Sequence, residues 1–511
     1  MGIELMESTI SNHSRRWNLL PLLCLATLSS KLSINIVLTA LLNISEAFPN
    51  TRNIAEWTLL SYSLTAASLA ICAGYWGDRY GLRRMFGLGL QLFLVGSVIA
   101  AFSPTGSWLV GTRVLAGMGS AIMAPVSLAF VNRLFSVSER PLAFGYWSAS
   151  ISIGTVLGPI LGGGIQAIGS WRMIFPIAAI PALVALIYLH KLPEYHPTIS
   201  KDKADIQELF ALTFLPFILL LTLTEISHFQ VYITISLLVL TIIIGMLTFR
   251  HLLASKKSFI PMQILCKREW WIPSLLQLIT RCIFMASLTL MTLYLQVIRG
   301  LSAFDASLLL IPFCLSVGVT SFNSGRLCKL LGTKRLMNIV YGIGIAGLIS
   351  LFPIGLEGFT YSNWLGIIAI GVMVGNTAQL SRLSLSCFPK EKSMVAASLN
   401  TLIINLGLSV GAVLQISFST IAANRLNRIT GWPLLEHTEQ LLPSPNQLKS
   451  LAEGSEKILS EWLFDLRTIV INTLQWEILT LFILTVLSLW LTYRLFSGVK
   501  NQSSLRLPVH E

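Results

Sequence analysis

The chain has 511 residues, of which 54% are hydrophobic and 12% charged, and its formal net charge is +13. Because an average soluble protein has about 25% charged residues, this composition excludes a water-soluble globular protein and predicts a polytopic membrane protein. The basic residues fall in short segments between apolar runs, which argues against a nucleic-acid-binding protein.

The seven cysteines fall in apolar runs or in segments that we place on the inner side, and no C-x-x-C spacing occurs. We therefore expect no disulfide, no metal site and no cofactor. The first apolar run lacks a small-residue cleavage site, so it is interpreted as a mature helix rather than a cleavable signal peptide.

Apolar runs of about 20 residues predict fourteen membrane-spanning helices, arranged as six, two and six. These spans are 18–41, 55–76, 86–103, 108–131, 143–165, 174–189, 210–225, 231–249, 272–297, 302–322, 337–356, 365–384, 395–421 and 470–491. The predicted organisation is a cytoplasmic N-terminus (1–17), a six-helix half (18–190), a charged linker with two extra helices (191–269), a second six-helix half (270–491) and a cytoplasmic tail (492–511).

Most of the 36 Lys and Arg residues lie on the inner side if the N-terminus is cytoplasmic, which sets the expected orientation of both termini. The segment 425–467 contains several prolines and acids and is then an outside loop. It is a candidate contact for an envelope partner.

A charged segment punctuated by glycines joins spans 2 and 3, and we expect it to be a tight turn at the headgroup level. Glycine lets the chain bend there, and the cations favour the cytoplasmic side. Its candidate functional residues are Gly74, Gly77, Asp78, Arg79, Gly81, Arg83 and Arg84.

Residues 325–335 repeat the glycine and basic spacing of residues 74–84, at the start of the second half. Lys329 takes the place of Asp78, so the second copy keeps the turn without the acid. The repeat predicts two pseudo-symmetric halves around a central cavity.

Span 4 contains Arg113, Gly117 and Gly119. A buried arginine in a membrane costs at least about 2.5–3.5 kcal/mol, so a polar interior site is favoured, with snorkelling to the surface as the alternative. In span 5, Gly154, Gly158 and Gly162 form one bare helix face for close packing, Gly163 follows, and Pro159 favours a bend.

Two further cations, Lys31 in span 1 and Arg281 in span 9, also lie within predicted spans. Each needs a polar partner, so structural pairing and anion binding both remain open. The substrate-cavity candidates are Lys31, Asn35, Arg281, Asn376, Gln379 and Asn405. Interhelical hydrogen bonding is the alternative for the amides.

Together these motifs resemble the fourteen-span drug:proton antiporters of the major facilitator superfamily, the EmrB/QacA type. Further matches are Trp57-x-x-x-Ser61-Tyr62 and Tyr294-Leu295-Gln296 before Gly300. The resemblance implies an all-α major facilitator fold, alternating access and no enzymatic activity. It also implies that Asp78 locks one conformation by facing a helix N-terminus and that Arg113 is linked to proton coupling.

Span 1 departs from the family pattern L-D-x-T-I-V-N-V-A-L-P, because Ser33, Leu38 and Leu42 stand in place of the acid, the asparagine and the proline. With the boundaries above, we expect no carboxylate near mid-membrane; Glu225 and Asp305 lie at outer ends, as does Glu357. Lys31, Arg113 and Arg281 thus lie within predicted spans without an acidic counterpart. This excess of positive charge favours an anionic or zwitterionic substrate.

The expected function is proton-coupled export of small molecules or drugs across a bacterial cytoplasmic (inner) membrane. The expected partners are a small-molecule substrate, protons and the lipid bilayer. Two alternatives remain: transport of an anionic metabolite such as a carboxylate siderophore, and a membrane sensor or scaffold that does not transport.

Overall fold

The structure is a computed structural model, and it describes residues 16–51, 54–195, 206–227, 231–254, 262–301, 303–352, 361–389, 392–430 and 456–497. Regular structure in these ranges is helical. The α-helices are α1 Leu20–Asn35, α2 Leu41–Ala47, α3 Ile54–Ser68, α4 Ala70–Tyr80, α5 Leu82–Ala101, α6 Gly106–Leu134, α7 Arg140–Ile168, α8 Ile174–Ile187, α9 Ile206–Ser227, α10 Val231–Ala254, α11 Met262–Leu265, α12 Arg268–Leu293, α13 Ala303–Leu309, α14 Ile311–Leu331, α15 Thr333–Leu351, α16 Tyr361–Gly375, α17 Thr377–Ser386, α18 Ser393–Thr430 and α19 Glu456–Ser497.

Within the described ranges, ten helical segments are long and apolar enough to cross a membrane. Helices α3 and α4 are bent by 46° at their junction and add an eleventh candidate if the pair forms one span. Two shorter apolar stretches, Glu208–Leu223 and Tyr232–Thr248, lie in α9 and α10. The protein is therefore an all-helical polytopic membrane protein, and the count of fourteen spans stays a prediction.

The charged segment of residues 74–84 is mostly helical, in contrast to the expected turn. Helix α4 continues to Tyr80, and the chain reverses at Gly81 alone, whose φ is +93°. The second copy behaves in the same way: α14 ends at Leu331 and Gly332 has a φ of +77°. A positive φ is accessible to glycine without steric cost, so one glycine replaces a longer loop in each half.

Helix packing in the first half is repeated in the second. In the first half, α1 packs on α7 and α8, and α5 packs on α6 and α8. In the second, α12 packs on α18 and α19, and α15 packs on α16 and α19. Large buried apolar clusters lie in both halves. This correspondence pairs α1 with α12 and α7 with α18.

The two helices between the halves pack at their junction. Helix α9 contacts α3, α4 and α18, and α10 packs on α9. The remaining surface of α10 is apolar and exposed, including Ile235, Leu238 and Met246. An apolar face of this length needs a non-aqueous environment, so α10 lies toward lipid.

The predicted outside loop, 425–467, is shorter in the structure. Helix α18 continues to Thr430 and α19 begins at Glu456, so both ends of the predicted loop are helical. Residues 431–455 lie outside the described residues, and the envelope contact stays a prediction.

Candidate functional site

A cavity of about 340 Å³ lies between the two halves. The first half contributes residues of α1, α3, α6 and α7, the second contributes α12 and α18, and Leu220 of α9 completes the wall. Helix α18 reaches the cavity at Thr401, eight residues or about 12 Å beyond its first residue. The cavity therefore occupies the middle of the bundle and the end remote from Gly81.

The end near Gly81 is closed by contact between α4 and the N-terminus of α18. Asp78 accepts hydrogen bonds from the backbone N–H groups of Met394 and Val395, in the first turn of α18. Its Oδ1 also lies 3.2 Å from Nη2 of Arg133. The carboxylate thus links α4 to α18 in the other half and to the end of α6, and a helix N-terminus favours a negative group.

Glycines make this closure possible. A methyl group added at Gly74 would collide with Ser398, and one at Gly77 would collide with Met394, both on α18. A larger residue at Gly74 would press on the Ser398 side chain, and one at Gly77 would displace the flexible end of the Met394 side chain. Both glycines therefore allow close contact between α4 and α18.

A second contact closes the same end and mirrors the first. A methyl group added at Gly325 of α14 would collide with the backbone of Pro141, at the start of α7. Gln379 supports this contact because its Nε2 donates to the Pro141 carbonyl at 3.2 Å. Lys329, the counterpart of Asp78, is exposed. An acidic side chain therefore takes part in the first contact and has no equivalent in the second.

The basic residues of the segment lie around this closed end. Arg84 pairs with Glu194 at 3.3 Å, and Arg79 donates to the Tyr75 hydroxyl at 2.7 Å. Arg83 is half-buried. Exposed ion pairs contribute little to stability. The halves are therefore tied together at this end by the bonds of Asp78 to α18 and by the contact of Gln379 with Pro141.

Arg113 is fully buried and does not snorkel. Its Nε donates to the Thr58 carbonyl at 3.1 Å, and Nη1 donates to the Ser33 hydroxyl at 3.0 Å. The Tyr62 ring centroid lies 4.3 Å from its guanidinium carbon. Ser33 is the residue that stands in place of the family's first-span acid, so this arginine is solvated by neutral oxygens and a π face where a carboxylate would be expected.

The glycines beside Arg113 hold α6 against its neighbours. A methyl group at Gly117 would lie 2.7 Å from the Tyr62 carbonyl oxygen, and one at Gly119 would collide with the backbone of Phe93. Both glycines therefore serve close packing around Arg113.

The glycine face predicted in span 5 packs directly on α1. A methyl group at Gly154 would lie 2.7 Å from the Leu28 carbonyl oxygen, and one at Gly158 would lie 2.8 Å from the Asn35 carbonyl carbon. Gly162 faces Ile36, the residue that follows the end of α1. Pro159 lies inside α7, which continues to Ile168, and Gly163 is half-buried beside this face.

Lys31 and Arg281 both line the cavity. Arg281 is 3% exposed, and its Nη2 donates to the Thr377 hydroxyl at 2.9 Å. Its Nε is buried and has no hydrogen-bond partner among the described residues. The two cations thus place positive charge on a wall whose other lining residues, in the described part of the chain, are uncharged and mainly apolar.

The predicted amides separate into two groups. Asn35 and Asn405 line the cavity. Gln379 bridges the closed end instead, and Asn376 is buried at the start of α17, where its Oδ1 has no hydrogen-bond partner among the described residues. Neither Asn376 nor Gln379 is among the residues that line this cavity, so their role in substrate binding stays a prediction.

The expectation of no deep carboxylate was also wrong. Glu477 lies on α19 inside the candidate span Thr468–Phe496 and is 2% exposed. Its Oε1 is buried and has no hydrogen-bond partner in the described part of the chain. The predicted span 470–491 already contained it; an acid within an apolar run is the signal that should have singled it out.

Known proteins share sequence and fold with this chain. The chain is 26% identical over 411 residues to the methyl viologen resistance protein SmvA of Salmonella typhimurium, covering 78% of this chain and 81% of SmvA. It is 35% identical over 188 residues to the multidrug efflux pump LfrA of Mycolicibacterium smegmatis, covering 37% of each.

Among solved structures, the proton:xylose symporter XylE bound to 6-bromo-6-deoxy-D-glucose has a similar fold, with a TM-score of 0.60 and 14% identity over 94% of this chain and 96% of that one. The model of the Major Facilitator Superfamily matches residues 23–412. The chain is therefore a secondary transporter that belongs to the Major Facilitator Superfamily.

Proposed function

We propose that this transporter exports small amphipathic molecules across a bacterial inner membrane in exchange for protons, with fourteen spans of the EmrB/QacA type and cytoplasmic termini. The observation that carries the proposal is the cavity between the halves, closed at one end by Asp78 and its partners. With the N-terminus inside, the closed end is cytoplasmic and the conformation faces outward.

Alternating access requires the halves to separate at the closed end while they meet at the other. The closure at Asp78 consists of polar contacts and glycine-mediated packing between α4 and α18, which is small enough to be broken and remade. Asp78 then stabilises the outward-facing state, because its carboxylate reaches the backbone N–H groups of Met394 and Val395 only when α4 and α18 meet.

Proton coupling needs a group that binds and releases a proton within the membrane. Ser33 cannot do this, and no lining residue of the cavity in the described part of the chain is acidic. Glu477 is the candidate because it is a buried carboxylate with an unpartnered oxygen in a candidate span. A carboxylic acid inside the membrane is energetically costly, so its presence there indicates a function.

Export is favoured over import by the names of the relatives, since SmvA is a resistance protein and LfrA an efflux pump. The wall of the cavity, with apolar side chains such as Phe284, Met285 and Leu288, fits an amphipathic substrate.

The test is accumulation of fluorescent amphipathic compounds of positive, neutral and negative charge in a bacterial host stripped of its own efflux pumps. We expect cells with the transporter to accumulate at least one charge class less than cells with Arg113→Ala at matched membrane abundance. Equal accumulation of all classes by both would contradict export and favour a scaffold or sensor, and higher accumulation by the active protein would indicate import.

A further inference from the structure

Lys31 and Arg281 occupy equivalent positions in the two halves. Lys31 lies on α1 and Arg281 on α12, which correspond to each other in the repeated packing. Each first helix packs on a glycine pair spaced G-x-x-x-G, Gly154 and Gly158 in α7 or Gly407 and Gly411 in α18.

The contacts of the first glycine in each pair match residue by residue. A methyl group at Gly154 would lie 2.7 Å from the Leu28 carbonyl oxygen and 3.2 Å from the Lys31 Cβ. One at Gly407 would lie 2.5 Å from the Leu278 carbonyl oxygen and 2.8 Å from the Arg281 Cβ. Leu28 and Leu278 each lie three residues before the cation, so each glycine fixes its cation at the same depth.

The two cations face one cavity from opposite halves, and they are its charged lining residues in the described part of the chain. No lining carboxylate neutralises them. Ser30, Asn35 and Asn405 supply neutral hydrogen-bonding groups, and the rest of the wall is mainly apolar. Arg281 also keeps its buried Nε without a partner in the described ranges.

A buried cation in a membrane protein needs a counter-charge or polar partners. We propose that Lys31 and Arg281 form an anion site, one arm from each half, that holds the carboxylate of an amphipathic monoanion while the apolar wall holds its body. The proposal rests on the export function above and names its substrate class. It differs from what the name of SmvA indicates for that protein, since methyl viologen is a cation.

Placement on opposite halves gives the site a mechanical consequence. An anion between Lys31 and Arg281 contacts both halves at once, and it screens the repulsion between two like charges as the halves move together. An occupied site therefore favours the transition between end states, whereas an empty site opposes it.

The test is fluorescence binding to the purified full-length protein in lipid nanodiscs, with three probes that share one body. These are dansylglycine (carboxylate), dansylglycinamide (neutral) and dansylaminoethyl-trimethylammonium (cation). We expect dansylglycine to bind wild type at least about tenfold more tightly than the cation, a ratio that a single ion pair in a partly desolvated site supplies.

Lys31→Gln and Arg281→Gln should each weaken dansylglycine binding about tenfold and leave dansylglycinamide binding within about twofold. Lys31→Arg keeps the charge and should keep the binding, which separates loss of charge from misfolding. Arg326→Gln removes an exposed cation of α14 and is the matched control. Thermal melting of each variant checks that it is folded.

Equal or tighter binding of the cation by wild type would overturn the anion site, as would unchanged dansylglycine binding in both Gln variants. Export itself is judged separately in the pump-stripped host. Cation export there, with weak dansylglycine binding, would reject the anion site and leave the proposed function standing. Charge-dependent dansylglycine binding without transport of any compound would support the anion site and reject the proposed export function.

Discussion

Asp78 Oδ1 lies 3.2 Å from Arg133 Nη2, while the same carboxylate accepts from the backbone of Met394 and Val395. One side chain thus joins the end of α6 in the first half to the start of α18 in the second. The bonds to Met394 and Val395 join the two halves at the end near Gly81, whereas Arg133 lies in the same half as Asp78. We predict from the bonds between the halves that Asp78 acts as a switch element of the transport cycle.

Asp78→Asn should therefore cut transport about tenfold while membrane abundance stays normal. The substitution removes the charge that both Arg133 and the helix N-terminus favour, and a bias of about 1.4 kcal/mol changes the ratio of end states tenfold. Initial rates of efflux at matched abundance measure this. Lys329→Gln is the matched control at the equivalent exposed position of the second half and should be neutral; normal efflux by Asp78→Asn would remove the switch role.

Arg113→Ala should abolish transport, and Arg113→Lys should keep part of it. Lysine retains the charge but lacks the planar donor fork that reaches the Thr58 carbonyl and Ser33 together. Ser33→Ala removes one hydrogen bond to a charged group, worth about 1.5–3 kcal/mol, and should have an intermediate effect. Efflux rates should therefore increase from Arg113→Ala to Arg113→Lys to Ser33→Ala. Wild-type efflux by Arg113→Ala would show that the buried guanidinium is dispensable.

Glu477→Gln should uncouple transport from protons. The amide keeps the size of the side chain but cannot bind and release a proton, so exchange of labelled for unlabelled substrate should persist while pH-gradient-driven accumulation is lost. Glu269→Gln, at an exposed acid near the start of α12, should behave as wild type. Full pH-driven accumulation by Glu477→Gln would assign coupling to another group.

Gly158→Ala should destabilise the protein, whereas Gly164→Ala on the same helix should not. An added methyl group at Gly158 meets the backbone of α1, at 2.8 Å from the Asn35 carbonyl carbon, while Gly164 has nothing within 4 Å. Overpacking of this kind costs about 1–3 kcal/mol. Thermal melting in detergent compares the pair, and equal melting temperatures would show that α1 and α7 adjust without cost.

The all-helical membrane fold could be predicted because apolar runs of span length leave few other structures in a membrane. The glycine repeats at 74–84 and 325–335 predicted two halves. Their glycines are required because the chain reverses at Gly81 and at Gly332 with a positive φ. Local sequence could not show that residues 74–80 are helical, because charged residues at this position are compatible with a turn and with the end of a helix.

The site was predicted in part. Lys31 and Arg281 were visible as cations in apolar runs, but their convergence on one cavity depends on how the halves pack. Gln379 was predicted for the cavity wall and instead binds Pro141 across the closed end, a contact between residues more than 200 positions apart. Glu477 was missed although it lies within a predicted span, because one acid barely lowers the hydropathy of so long a run.

The most direct test of proton-coupled export is uptake of dansylglycine into inverted membrane vesicles with an acidic lumen. A weak acid accumulates passively on the alkaline side, so passive movement works against uptake in this arrangement. We predict that the transporter concentrates dansylglycine in the acidic lumen and that collapse of the pH gradient releases it. Uptake no greater than in vesicles with Arg113→Ala, or uptake unaffected by the gradient, would contradict proton-coupled export of an anion.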